Sequence, residues 1–291
     1  MPIGQPFLKG ILIDDNQAIL AEATAPLTVQ RPHEGWSEQS PADWISAAES
    51  VLQQLTAHGL GKVRGIGLSG HMHGATLLDA ADNVLRPCIL WNDTRSHAEA
   101  ARLDADPRFR ALSGNIVFPG FTAPKLDWVR AHEPQIWAKV AKVLLPKDYL
   151  RLWLIGDHVA EMSDAAGTAW LDTGRRDWSD DLLAATGLTR AQMPRLVEGS
   201  DVSGVLRATL AQRWGQAILQ ALGRQPLYFS AALPLRTLSP LFNRYEGGEH
   251  YGFHVDGAIM RQQGLIPGGQ RQPVARARLL RQSLQQQRLL R

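Results

Sequence analysis

Gly67-Leu68-Ser69-Gly70-His71-Met72-His73-Gly74-Ala75-Thr76-Leu77-Leu78-Asp79 is the stretch on which the fold turns. Val63–Leu68, with Val63, Ile66 and Leu68 apolar, reads as a buried strand closing on Ser69-Gly70, and Ala75–Leu78 reads as a second, short strand. Two histidines and a methionine therefore fall on the connection between strands. Glycine carries no Cβ, so the backbone at Gly70 and Gly74 lets a small polar ligand approach closely. An imidazole both donates to and accepts from hydroxyl groups. His71 and His73 are equally readable as strand-end residues with partners inside the protein.

Working outward, Cys88–Leu90 is a further short strand beyond a turn. Gly10–Asp14 and Ala18–Val29 read as strands joined by Asp14-Asp15-Asn16-Gln17. Residues 42–57 set Trp44, Ala48, Val51, Leu52 and Leu55 along one helical face, entered at Ser40-Pro41. Residues 122–139 and 146–155 read as helices entered through a threonine and a proline. Strands interleaved with helices make an α/β domain. Later, Leu227–Ala232 and Leu235–Tyr245 are apolar, aromatic and proline-bearing, closer to an all-β sheet. Residues 261–291 hold eight Gln, seven Arg and no aromatic residue, the composition of a poorly ordered tail.

Composition narrows the function. The chain has 291 residues, 44% hydrophobic and 20% charged, a globular composition. No apolar run reaches the roughly 18–20 residues of a membrane-spanning helix, and the start lacks a signal-peptide layout, so the expected location is cytoplasmic. A single cysteine, Cys88, excludes an internal disulfide framework and a multi-cysteine zinc site. The net charge of +3 hides an asymmetry: residues 1–215 hold 21 Lys and Arg against 25 Asp and Glu. Residues 216–291 hold 10 Arg, no Lys and three acids. The basic character belongs to the tail and is not read as nucleic-acid binding.

Five blocks in order carry a resemblance. They are Gly67–Asp79; Leu85-Arg86-Pro87 through Leu90-Trp91-Asn92-Asp93; Pro119-Gly120-Phe121-Thr122-Ala123-Pro124-Lys125-Leu126; Leu144-Leu145-Pro146-Lys147-Asp148-Tyr149-Leu150; and Ser163-Asp164-Ala165-Ala166-Gly167-Thr168, with Trp36-Ser37-Glu38-Gln39 before them. Over about residues 8–215 the chain resembles the N-terminal domain of the FGGY carbohydrate kinases, in particular the xylulokinases. The resemblance implies an actin-like, ribonuclease-H-like α/β domain that holds the sugar, paired in the family with a second domain that holds ATP. It implies phosphorylation of D-xylulose to D-xylulose 5-phosphate with ATP and Mg²⁺, a small-molecule ketose as partner, and no nucleic acid or membrane. Met72 and His73 match the family's substrate-contacting pair. Trp91, Asn92 and Asp93 match a block near the sugar cleft, with Trp91 also readable as packing. Lys147-Asp148 reads as the structural start of a helix.

The pattern also departs from the family. Pro2 stands where the family has an aspartate that organises Mg²⁺ and phosphate, and Gln5-Pro6 replaces a Thr-Ser turn. No Gly-Gly-Gly-Asp, the stretch carrying the family's general base, occurs in the sequence, so no catalytic residue is named. From about 218 to 260 the chain instead resembles Fe(II)/2-oxoglutarate PKHD-type hydroxylases, through Ile218–Leu222, Pro226–Leu235, Pro240–Tyr245 and Tyr251–Asp256. His254 and Asp256 match two members of a 2-His-1-carboxylate iron triad. His254 is the last of nine histidines, so the triad is incomplete. The expected organisation is a sugar-binding domain over 1–215, a hydroxylase-like fragment over 216–260 and an Arg/Gln-rich tail over 261–291. The expected function is that of a sugar kinase by family, with this chain truncated and inactive. The alternatives are an iron/oxoglutarate hydroxylase fragment and a non-catalytic chimeric sugar-binding remnant.

Overall fold

A computed structural model describes residues 7–56, 58 and 63–214. The hydroxylase-like stretch, with His254 and Asp256, and the Arg/Gln tail lie outside the described residues, as do Pro2, Gln5 and Pro6. The chain opens with an antiparallel hairpin, β1 (Phe7–Ile13) and β2 (Ile19–Pro26). Its turn forms where the polar run places it: Asp14 Oδ1 accepts from the Asn16 and Ala18 amides, both at 2.8 Å, while Gln17 takes φ 66°. Alternation along β1 and β2 turns Leu12, Ala23 and Ala25 inward, and leaves Phe7, Ile11, Ile13, Ile19 and Leu20 exposed on the hairpin.

After the two-residue strand β3 (Glu38–Gln39) comes α1 (Pro41–Thr56), with proline at the position where a missing N–H costs nothing. Its buried face is the one the spacing predicts, Trp44, Ala48, Val51 and Leu55, with Ala47 added. Leu52, expected on the same face, is half-buried; Ala47, Val51 and Leu55 pack on the inner side of the hairpin in a cluster with Leu68, Leu154 and Leu210, while Trp44 packs with Cys88 and Leu90.

Val63–Leu68 forms no strand. A strand is defined by its neighbours, and none of the described strands pairs with this segment; Val63, Ile66 and Leu68 instead add their side chains to the cluster beside Leu12. Strands then form as short pairs. β4 (Thr76–Leu78) lies antiparallel to β6 (Lys142–Leu144), and β5 (Cys88–Ile89) antiparallel to β3, with an Ala75–Ile89 bridge joining the two.

Helices α2 (His97–Asp104), α3 (Pro107–Ser113), α4 (Thr122–His132) and α5 (Pro134–Trp137) surround the second core. The single helix read over 122–139 is thus two. Pro134 cannot donate to the helix before it and starts a new one, with Glu133 non-helical at φ −129°. The chain continues through α6 (Pro146–Ile155), β7 (Val159–Glu161), α7 (Met162–Ala166), β8 (Leu171–Asp172), β9 (Asp177–Trp178), α8 (Asp180–Ala185), β10 (Arg195–Val197) and α9 (Ala208–Trp214). β7 and β10 pair in parallel, β8 and β9 antiparallel. The larger core gathers Leu77, Ile89, Phe109, Phe121, Leu126 and Trp170.

Candidate functional site

The blocks separated in sequence meet around the turn Gly70–Gly74. His73 sits in the left-handed region at φ 64°, a conformation that costs a non-glycine residue on the order of 1–2 kcal/mol. Three hydrogen bonds hold it there. Its carbonyl accepts from Thr122 Oγ1 (3.1 Å) and Lys125 Nζ (2.9 Å), both from the first turn of α4. Its Nδ1 lies 2.7 Å from the Gly167 carbonyl oxygen. A carbonyl only accepts, so Nδ1 carries the proton and Nε2 keeps its lone pair.

The glycines explain the closeness. A Cβ on Gly167 would stand 2.5 Å from His73 Cε1, one on Gly74 would stand 2.5 Å from Pro146 Cγ, and one on Gly70 would press on Lys147 Cβ at 3.0 Å. Burial, then the nearby Lys125 ammonium, lowers the His73 pKa to about 3; the same causes in the same order lower that of His71 to about 4. Both rings are neutral across ordinary pH. His71 packs edge-on against Trp44 with centroids 5.7 Å apart.

Lys125, fully buried, also donates to the Gly120 carbonyl at 2.6 Å. Loss of hydration pushes its pKa down to about 7. Neither Lys125 nor Gly167 stood out from the sequence beyond lying inside quoted blocks, because each meets His73 from 52 and 94 residues away, respectively. Cys88 lies beneath the turn, fully buried, with its thiol pushed up to about 12 by burial.

The Trp91-Asn92-Asp93 block divides. The Trp91 carbonyl lies against Gly120, where a Cβ would approach it to 2.8 Å. Asp93 is buried and its oxygens are engaged within the protein: they accept from the Ser37 amide (2.6 Å) and from Arg95 at its backbone N (2.9 Å), Nε (2.9 Å) and Nη2 (2.7 Å). Arg95 in turn lies over the Trp36 ring, 3.6 Å from its centroid. Asn92 Oδ1 is buried without a hydrogen-bond partner among the described residues. Among the described residues, no group of three or more His, Cys, Asp or Glu side chains is arranged to hold a metal ion.

Beneath Gly70, at the start of α6, lies a buried charge cluster. Lys147 Nζ stands 2.8 Å from Asp148 Oδ1, 2.8 Å from Asp164 Oδ2 and 3.6 Å from Glu161 Oε1. Arg151 Nη1 reaches Asp148 Oδ1 at 3.0 Å and the Val159 carbonyl at 2.8 Å. Glu161 caps α7, accepting from the Ser163 and Asp164 amides at 2.8 Å each. Burial, opposed by Lys147 but reinforced by Asp148, raises the Asp164 pKa to about 6.

A carboxyl whose folded pKa exceeds its unfolded value is penalised when ionised. The penalty is present in full above about pH 6 and disappears as pH falls toward the unfolded value of about 3.9. Asp164→Asn is therefore expected to stabilise the protein at pH 7.5 by about 1–3 kcal/mol and to confer nothing near pH 4. Urea unfolding at the two pH values measures it, and an equal difference at both would reject this account.

The sequence pattern of the "FGGY family of carbohydrate kinases, N-terminal domain" matches residues 1–222. The chain is 50% identical over 217 residues to the xylulose kinase of Escherichia coli strain K12, covering 74% of this chain and 45% of that protein. The crystal structure of a "xyloylose kinase" from Brucella ovis superposes with a TM-score of 0.69 at 61% identity, over 70% of this chain and 44% of that one. The xylulose kinase of Rhodospirillum rubrum gives 0.69 at 28% identity, over 78% and 47%. The chain thus spans a little under half the length of these relatives, and its fold is the actin-like, ribonuclease-H-like α/β arrangement of their N-terminal part. Neither these relatives nor the described residues support the hydroxylase alternative. With the match running from residue 1 to residue 222, the chain belongs to the FGGY family of carbohydrate kinases.

Proposed function

We propose that residues 1–215 form the sugar-binding domain of a xylulose kinase, with D-xylulose bound at Met72 and His73 and flanked by Trp91, Asn92 and Asp93. In the whole enzyme, ATP with Mg²⁺ would supply the phosphoryl group for a primary hydroxyl of the ketose, giving D-xylulose 5-phosphate. The work of this chain is to bind and orient the sugar. Residues 216–260 and 261–291 are proposed as separate segments after the domain. A cytoplasmic setting accords with the absence, among the described residues, of any helix long and apolar enough to cross a membrane.

One observation carries the reading. His73 is held in a strained turn by α4 and by Gly167, with its Nδ1 proton committed to a carbonyl. Fixed in that tautomer, Nε2 acts as an acceptor for a sugar hydroxyl, and backbone strain of this kind gathers where a ligand is met. The kinase names of the relatives support the substrate class.

Adding D-xylulose to the ¹⁵N-labelled chain should shift the amides of Gly70–Gly74. Since His73 and His71 stay neutral well above their lowered pKa values, neither imidazole should change its charge between pH 5 and 8. Shifts confined to other regions, or protonation of the His73 imidazole between pH 5 and 8, would refute the assignment.

A further inference from the structure

Phe118 lies outside every block that suggested the sugar site, yet the fold sets its ring beside His73. The residue is 40% exposed, and its ring meets the imidazole edge-on, with centroids 6.1 Å apart and planes at 86°. It is braced from behind: Phe121, buried, stands 4.3 Å away centroid to centroid and itself lies 4.7 Å from the His73 ring. Below, it rests on Gly120, where an added Cβ would come within 2.4 Å of Phe118 Cε2. Gly120 cannot yield, because its carbonyl takes the Lys125 ammonium at 2.6 Å and its α-carbon faces the Trp91 carbonyl. The result is a flat apolar surface fixed at right angles to a polar acceptor.

A polyol presents two kinds of group in alternation, hydroxyls and C–H bonds. Small-molecule sites match this with a few placed polar groups on apolar and aromatic walls. His73 addresses the hydroxyls, and apart from Trp91 no aromatic side chain has so far been placed beside the carbon chain. We propose that Phe118 is that wall, a specificity-determining residue whose exposed face contacts the C–H groups of the ketose and limits the length of chain accepted beside His73. The proposal rests on the sugar site described above.

The test uses the full 291-residue chain, deuterated except for phenylalanine rings, with D-xylulose as the probe. Intermolecular NOEs from the Phe118 ring to carbon-bound sugar protons are expected. Phe118→Ala and Phe118→Leu should each weaken D-xylulose binding, the first by roughly five-fold or more. Both should narrow the preference for D-xylulose over D-fructose, which is one carbon longer. Phe118→Leu keeps an apolar side chain against Phe121, and the NOE experiment needs no substitution, so a folding failure of Phe118→Ala leaves the test intact. Binding within two-fold of the parent in the leucine variant, or NOEs absent while Gly70–Gly74 amides shift, would overturn the role of Phe118 and leave the site standing. Absence of any shift at Gly70–Gly74 in the parent chain would overturn both.

Discussion

Replacing Lys147 by methionine is expected to cost about 3–5 kcal/mol, the usual result of removing one partner from a buried ionic group. Against a total stability of roughly 5–15 kcal/mol, that leaves a marginal protein. The size follows from what remains. Lys147 is 3% exposed and touches Asp148, Asp164 and Glu161; without it, three buried carboxylates share Arg151, which reaches Asp148 alone among them. Methionine fills much the same volume, so the loss is electrostatic and not a cavity. The deficit should shrink as pH falls from 7.5 to 5, because Asp164, with its raised pKa, takes up a proton first. Adding Asp164→Asn should recover part of the loss, since neighbouring charges are coupled and not additive. Urea midpoints of the parent, both single variants and the double variant at two pH values measure all of this. A Lys147→Met deficit under about 1 kcal/mol would mean that the cluster behaves as a solvated surface group, contrary to its burial. Because Gly70 rests on Lys147, the variant should also broaden the Gly70–Gly74 amide signals.

The second large effect is on turnover. The 291-residue polypeptide by itself is expected to release no ADP in response to D-xylulose. The sequence contains no Gly-Gly-Gly-Asp, and Pro2 stands where the family places an aspartate. Loss of a proton acceptor alone costs about 10²–10⁴-fold in rate, and phosphoryl transfer further depends on groups that cradle the phosphates and the metal. A coupled assay for ADP decides it. Release that requires D-xylulose and vanishes in His73→Ala would overturn the expectation.

Most of the architecture was legible because it rests on local rules. The hairpin turn at Asp14–Gln17, the apolar face of α1 and the start of α6 at Pro146 each follow from a few adjacent residues. The break at Pro134 follows from the same kind of local rule, since proline cannot donate to the preceding turn. Val63–Leu68 failed for a different reason: its composition is that of a strand, but strand formation is settled by a partner far away in sequence. The turn at 70–74 showed its glycines, not the positive φ of His73, which is imposed by α4 and Gly167 from 49 and 94 residues away. The buried cluster gave no periodic signal, since Lys147, Asp148, Arg151, Glu161 and Asp164 are scattered over two helices and a strand. Phe118 carried no signal of its own in the sequence, because its place beside His73 comes from a contact across 45 residues.

Cys88 gives the molecule a clock. It is the single thiol in the sequence, it has no exposed surface, and its ionisation is pushed up to about 12. A folded molecule therefore offers an alkylating reagent neither access nor thiolate, and modification must wait for the β3–β5 pair to part. With reagent in large excess, the labelling rate becomes the opening rate; with reagent scarce, it becomes the fraction of time spent open. Opening there undoes the floor under Gly74, which Cys88 Sγ would meet at 3.0 Å from an added Cβ. The lifetime of the Gly70–Gly74 turn can thus be timed in the unaltered chain, with no probe introduced.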